Sequence, residues 1–252
     1  MQSAIHSENL DGASTGFLYA ISQLQQEALK IAPPSGTNRL HARGGLPGPA
    51  FFPEGLGLCE SSLHGGALPT IMAIGHNFGC ADYRTKIDSA GREDDKATWR
   101  NLDSLLVRAG SRPELCYRTN WFVGLLPGKG QTGKFLRSPN QSYERACNRL
   151  LIEQIKVLRP RVILLLGPEV ASRVYQIIPA LSPWRGSNRW IDIDRSSIGH
   201  SPRNVHIPAA SVTSNIAALL HPSFGAANQG RRMINMVEPI SEADIIRTAL
   251  QA

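Results

Sequence analysis

Three short clusters in this 252-residue chain combine side chains that handle hydrogen bonds and protons: Gly75-His76-Asn77-Phe78-Gly79, Thr119-Asn120 and His221-Pro222-Ser223. A carboxamide such as that of Asn120 donates and accepts at once, so it can pair with a planar ligand edge that does the same. The imidazole of His221 can donate to an oxygen that gains negative charge as a bond breaks. Asn77 cannot take a proton at neutral pH, so its amide suits holding a water rather than deprotonating it. Each residue also has a plainer reading. Asn77 and Asn120 can cap their own turns, His221 can pack at a strand end against the backbone, and Gly79 can be glycine only because a tight turn needs a positive φ.

The elements that must carry these clusters are legible from apolar patterning. Short apolar runs at 68–75, 115–123, 161–167 and 214–221 alternate with helical patterns. One helix lies around 98–110 and stops at Gly110; another lies within 138–160, with Cys147, Leu150, Leu151, Ile155 and Leu158 on one face and Pro160 just beyond its end. After the third run come residues 168–178 and then a polar, turn-rich stretch with Trp184 and Trp190. Nearly continuous apolar strands between helices predict a parallel sheet covered on both faces. The expected fold is α/β, a three-layer α/β/α sandwich around four central parallel strands. Ligands of such sheets bind beyond the carboxyl ends of the strands, which is where all three clusters fall. Upstream, residues 16–32 read as a helix ended by Pro33 and Pro34, and 33–67 as an irregular Gly/Pro-rich segment. The expected division is therefore 1–67, packed on the core, and 68–252, the domain proper.

Composition narrows the function classes. The excess of 27 Lys and Arg over 20 Asp and Glu gives a formal charge of +7, which favours a polyanionic partner. No stretch is apolar for long enough to span a membrane and the N-terminus lacks a signal-peptide pattern, so a cytoplasmic protein is expected. Without a long heptad pattern the expected state is a monomer. Cys59, Cys80, Cys116 and Cys147 include no C-x-x-C pair, and neither a metal nor another cofactor is expected. Lys129 and Lys134 lie in GKGQTGK, but Phe135 follows Gly133-Lys134 where a triphosphate-binding loop needs Ser or Thr.

The ordered clusters resemble the signature set of the uracil-DNA glycosylase superfamily. G-H-N-F-G is similar to its first motif, whose third position is Asn in the mismatch-specific and thymine-type branch and Asp in the main uracil branch. R-T-N-W-F-V-G-L-L-P-G resembles the second-strand segment with the base-reading Asn, and H-P-S the closing motif. I-E-Q-I-K-V-L-R-P-R-V-I-L-L-L-G is similar to the helix and third strand of the thermostable branch, and T-W-R to a helix start of the mismatch branch. The resemblance spans roughly residues 68 to 235. Phe78 stands where the family usually has Pro, and the iron-sulfur cysteines of the thermostable branch are absent.

The resemblance implies an enzyme that flips a base out of DNA and hydrolyses its glycosidic bond. Asn120 would read the base, His221 would donate to the carbonyl that gains charge, and Asn77 would orient the attacking water. His76 aligns with a catalytic Glu of the thermostable branch and could supply a base instead. Gly79 replaces a Tyr that walls off carbon 5 in the main uracil branch, which would admit a substituted pyrimidine. A stack for the flipped base is available from Phe78 first, then Tyr83 or Trp121. Phosphate contacts would come from Ser223, Arg231 and Arg232, the arginines having a solvated helix face as their other reading. Gly225 stands where a wedge Leu is often found, and Phe224 could fill the gap. Three functions follow: a monofunctional glycosylase for uracil or a related base in repair, a glycosylase removing bulky modified bases from phage DNA as antiviral defence, and a catalytically silent DNA-binding module.

Overall fold

The computed structural model describes residues 2–34, 37, 51–59, 62, 68–82, 85, 97–126, 140–224, 232–234 and 238–251. Its centre is a sheet built from β1 (Ile71–Gly75), β2 (Cys116–Asn120), β3 (Val162–Leu166), β4 (Val205–Ile207) and β5 (Val212–Leu219), in the order β2-β1-β3-β5-β4. The four strands expected from the sequence pair in parallel. The sheet has five strands rather than four, because β4 adds an antiparallel edge to β5. Val-His-Ile is three residues long and alternates buried, exposed, buried, too short a pattern to stand out of a turn-rich stretch.

The four parallel strands are buried on both faces where they pair with one another, and alternate residues sort into two cores. Met72, Ile74, Tyr117, Ile163, Leu165, Ile216 and Ala218 face one layer, where α1 (Gln2–Lys30) packs on α3 (Gln141–Leu158). Ile71, Ala73, Cys116, Val162, Leu164, Ala217 and Leu219 face the other, against α2 (Ala97–Arg108) and α6 (Glu242–Leu250). This period of two inside continuous apolar runs is what makes the fold a three-layer α/β/α sandwich. Between β3 and β5 the chain forms α4 (Pro168–Ala171) and α5 (Trp190–Asp194), and a hairpin of β6 (Arg232–Ile234) and β7 (Glu238–Ile240) precedes α6.

The helix ends follow local chemistry. Asn140 caps α3 by accepting from the Tyr143 N–H at 3.1 Å, and Arg159 ends the helix in the left-handed region at φ 45° before Pro160. Ser241 caps α6 by accepting from the Asp244 N–H. Helix α1 ends at Lys30, ahead of the two prolines, but begins well before residue 16. The apolar stripe of Leu18, Ile21, Leu24, Ala28 and Leu29 packs into the core as its spacing predicts, and residues 2–15 carry too few apolar side chains to announce a helix by period.

Residues 51–58 run along the outer edge of β2. The Phe52 N–H donates to the Arg118 carbonyl at 3.0 Å and the Arg118 N–H to the Gly57 carbonyl at 2.7 Å, so the edge strand keeps its backbone paired. Gly57 sits at φ +73°, and a methyl there would lie 2.7 Å from both the Arg118 carbonyl oxygen and the Tyr117 ring. Beneath this segment the fully buried Arg118 stacks on Trp99, 3.9 Å from the ring centroid, and pairs with Asp103 of α2. No helix among the described residues is long and apolar enough to cross a membrane.

Candidate active site

Parallel pairing sets Gly75 beside Asn120, which brings the first two clusters together at one end of the sheet. Beyond that pair the chains stay joined, since the Trp121 N–H donates to the Gly75 carbonyl at 2.8 Å and the Phe122 N–H to the His76 carbonyl at 3.1 Å. Asn120 is 8% exposed, and its carboxamide has no hydrogen-bond partner among the described residues. Its room comes from Gly75. A methyl at residue 75 would overlap the Asn120 Oδ1 and lie 3.3 Å from its Cγ. Gly75→Ala is therefore expected to fold while turning the Asn120 carboxamide away, with a loss of ligand binding comparable to that of Asn120→Ala; equilibrium binding of both variants checks this.

The first-motif loop is organised by Asn77. Its Oδ1 accepts from the Gly79 N–H at 2.8 Å and its Nδ2 lies 3.0 Å from His76 Nδ1. Gly79 has φ +83°, so the backbone alone calls for glycine there. The His76 ring meets Phe122 edge to face at 5.3 Å, and Phe122 in turn stacks on Tyr143 and lies 5.4 Å below the Arg173 guanidinium. Burial first, then the charges of Arg173 and His221, push the His76 pKa down to about 4. His76 is a neutral imidazole at physiological pH.

That shift has a sign for stability. Between pH 6.5 and about 4 the unfolded chain binds a proton at residue 76 that the folded chain does not. Stability therefore declines on acidification through that window and levels off below it. Denaturant midpoints measured across pH 4–7 should show a shallower decline in His76→Gln than in the parent.

The third cluster follows β5. The Ser223 N–H donates to His221 Nδ1 at 3.3 Å, and the Ser223 hydroxyl lies 2.7 Å from the same nitrogen. An Nδ1 that accepts a backbone N–H carries no proton, so the neutral ring bears it on Nε2. Burial lowers the His221 pKa, which keeps the ring in that neutral form. Helix α2 steadies the turn, with Asn101 Nδ2 donating to the Pro222 carbonyl at 2.6 Å. The neighbouring strand end approaches closely too, because a methyl on Gly167 would touch His221 Cβ at 3.9 Å.

The structure thus places Gly75, His76, Asn77, Asn120 and His221 at the carboxyl end of the sheet. Phe78 is half-buried and packs against the core, Ser223 is exposed beside His221, and Phe224 closes the short turn Pro222–Phe224. Trp121, a candidate stack, is 1% exposed in the core and offers no face to a ligand. Arg232 departs furthest from expectation. Its guanidinium is enclosed, paired with Asp194 and Glu242, donating to the Ala218 carbonyl at 2.6 Å and lying 4.6 Å over the Trp190 ring. An arginine held between two carboxylates inside the fold does not reach phosphate. Arg231, Tyr83, Gly225, Lys129 and Lys134 lie outside the described residues.

Two contributors were missed by reading motifs. Arg173 follows α4, behind the helix that leaves the end of β3, so the strand-end rule does not point to it. Glu242 left no signal either; its Oε2 accepts the Leu220 N–H at 2.9 Å and thereby anchors the residue before His221. Among the described residues no cluster of His, Cys, Asp and Glu could hold a metal ion.

A doubly covered α/β sheet that carries amide and imidazole groups at its carboxyl end is the kind of fold in which ligands bind at the strand ends. The chain belongs to the uracil DNA glycosylase superfamily, whose family model matches residues 66–243. The match takes in every strand of the sheet and all three motifs. It supports a uracil-DNA-glycosylase-like function in general, with DNA as the partner. No curated protein matches the chain.

Proposed function

We propose that this protein is a monofunctional DNA glycosylase that flips uracil or another modified pyrimidine from DNA and hydrolyses its N-glycosidic bond, leaving an abasic site. One observation carries the reading. The Asn120 carboxamide, unpartnered among the described residues, stands over the glycine that makes room for it, at the same end of the sheet as the neutral imidazole of His221. The carboxamide reads the pairing edge of the flipped base. His221 Nε2–H donates to the base carbonyl that becomes negative as the bond breaks. Asn77 orients the attacking water through the Oδ1 lone pair that the Gly79 N–H does not occupy, and an amide in this place makes a slower enzyme than a carboxylate would. Phe78 stacks on the base, while Ser223, Phe224 and Arg231 meet the DNA.

Residues 68–252 form the glycosylase domain, with 1–67 packed on it, and the protein works as a cytoplasmic monomer. A wider choice of bases, including bulky phage modifications, rests on Gly79 and on the altered first motif. The positive φ of Gly79 accounts for that glycine without any reference to the substrate.

The test is incubation with labelled oligonucleotides carrying uracil, thymine opposite guanine, or bulky 5-substituted cytosines, followed by hot alkali. Strand breakage in the uracil lane, lost in Asn77→Ala and His221→Ala, is the expected result. Breakage confined to the substituted cytosines would favour the antiviral reading. Binding without breakage in any lane would make the protein a silent DNA-binding module.

A further inference from the structure

We infer that Asn77 is a positioning residue that fixes His76 as its Nε2–H tautomer, so that His76 offers the flipped base a hydrogen-bond donor and not a proton acceptor. The nature of the ligand rests on the glycosylase reading; the tautomer does not.

The assignment follows from one atom that cannot change role. The Gly79 backbone N–H can only donate, so the arm of the Asn77 amide it meets at 2.8 Å is the oxygen. The other arm is then the NH2 group, and at 3.0 Å from His76 Nδ1 it donates. Nδ1 accepts and carries no proton, which leaves the proton of the neutral ring on Nε2. Nε2 is buried and has no hydrogen-bond partner among the described residues. Its ring stands against Phe122, with Arg173 and His221 as the charged or titratable groups facing it from the segments after β3 and β5.

A buried donor without an acceptor is unfavourable until something supplies one, so the arrangement suits an acceptor brought in by the ligand. His221 has the same polarity, with Nδ1 occupied by the Ser223 N–H and Nε2 carrying the proton. A ring carbonyl of the flipped base satisfies the His76 donor, whereas an exocyclic amine would set donor against donor. His76 thereby selects for a dione-type base, and this position supplies no base for the attacking water.

Asn77→Asp reverses the logic. A carboxylate still accepts the Gly79 N–H, but its second oxygen can only accept, so it draws the proton to His76 Nδ1 and opens Nε2 as an acceptor. Long-range 1H–15N spectra of the histidine rings at pH 7 read this directly, with His76 assigned by the signal that His76→Gln removes. The expected result is a protonated Nε2 in the parent and a protonated Nδ1 in Asn77→Asp. A parent His76 protonated at Nδ1, or an Asn77→Asp variant with an unchanged tautomer, overturns the inference.

Excision assays supply the second arm. His76→Gln keeps an N–H donor and should lose less than about tenfold, whereas His76→Leu should lose about a hundredfold, the usual effect of removing one donor from a developing charge. Equal losses in the two variants would overturn the donor role. An Nε2–H signal in a parent that cleaves no base would overturn the glycosylase reading and leave the tautomer standing.

Discussion

His221→Ala is expected to lower the rate of uracil excision by about 10²–10³-fold, the cost of removing one preorganised donor from a site of developing negative charge. The effect should fall on the chemical step. In the proposed mechanism His221 meets the leaving base most strongly when the base carries charge, so single-turnover excision should slow while the affinity for uracil-containing DNA changes little. His221→Gln should recover part of the loss, since an amide N–H can take the place of Nε2–H. An equal loss of rate and affinity in both variants would instead give the residue a structural role. Ser223→Ala separates these views further. It removes the hydroxyl contact 2.7 Å from Nδ1 but keeps the backbone N–H that fixes the tautomer, so its loss should be several-fold smaller than that of His221→Ala.

The second large effect lies in the fold. Arg232→Ala is expected to destabilise the protein by about 3–5 kcal/mol, because it leaves the Asp194 and Glu242 carboxylates without their shared cation inside the structure. Arg232 is 2% exposed, so solvent screens this network little. Burial already raises the Glu242 pKa against the opposing pull of Arg232, and without the arginine that carboxyl should take up a proton more readily still. Denaturant unfolding measures the cost. The phosphate-contact reading made a different forecast: unchanged stability, weaker DNA binding, and a shallower dependence of affinity on salt. Because Glu242 also accepts the Leu220 N–H and Arg232 donates to the Ala218 carbonyl, the variant should loosen the strand end that presents His221.

The two kinds of residue differed in how far they could be read from the chain. The four parallel strands were legible because each is a short apolar run buried on both faces, a pattern that needs no knowledge of neighbours. Asn120, Asn77, His76 and His221 were legible as candidates for a related reason: a strand end in such a sheet is a place, and the sequence shows which residue occupies it. Strand β4 and the hairpin of β6 and β7 were not, since three-residue strands carry too little alternation to separate from turns. The early start of α1 was missed because residues 2–15 carry too few apolar side chains to show a period.

What the sequence determined by itself was the layer order, the end of the sheet where the motifs meet, and the chemistry each side chain could perform. Tertiary structure decided which of those chemistries are available. Only the contact with the Gly79 N–H orients the Asn77 amide, and the inferred donor role of His76 depends on that orientation. Only the register of β1 on β2 shows that Gly75 is glycine for the sake of Asn120. Arg232 looked like a surface cation until the fold brought Asp194 and Glu242, 38 and 10 positions away, to either side of it. Side-chain type is a local property of the chain, but protonation, tautomer and exposure depend on partners that are distant in sequence and meet only when the sheet closes.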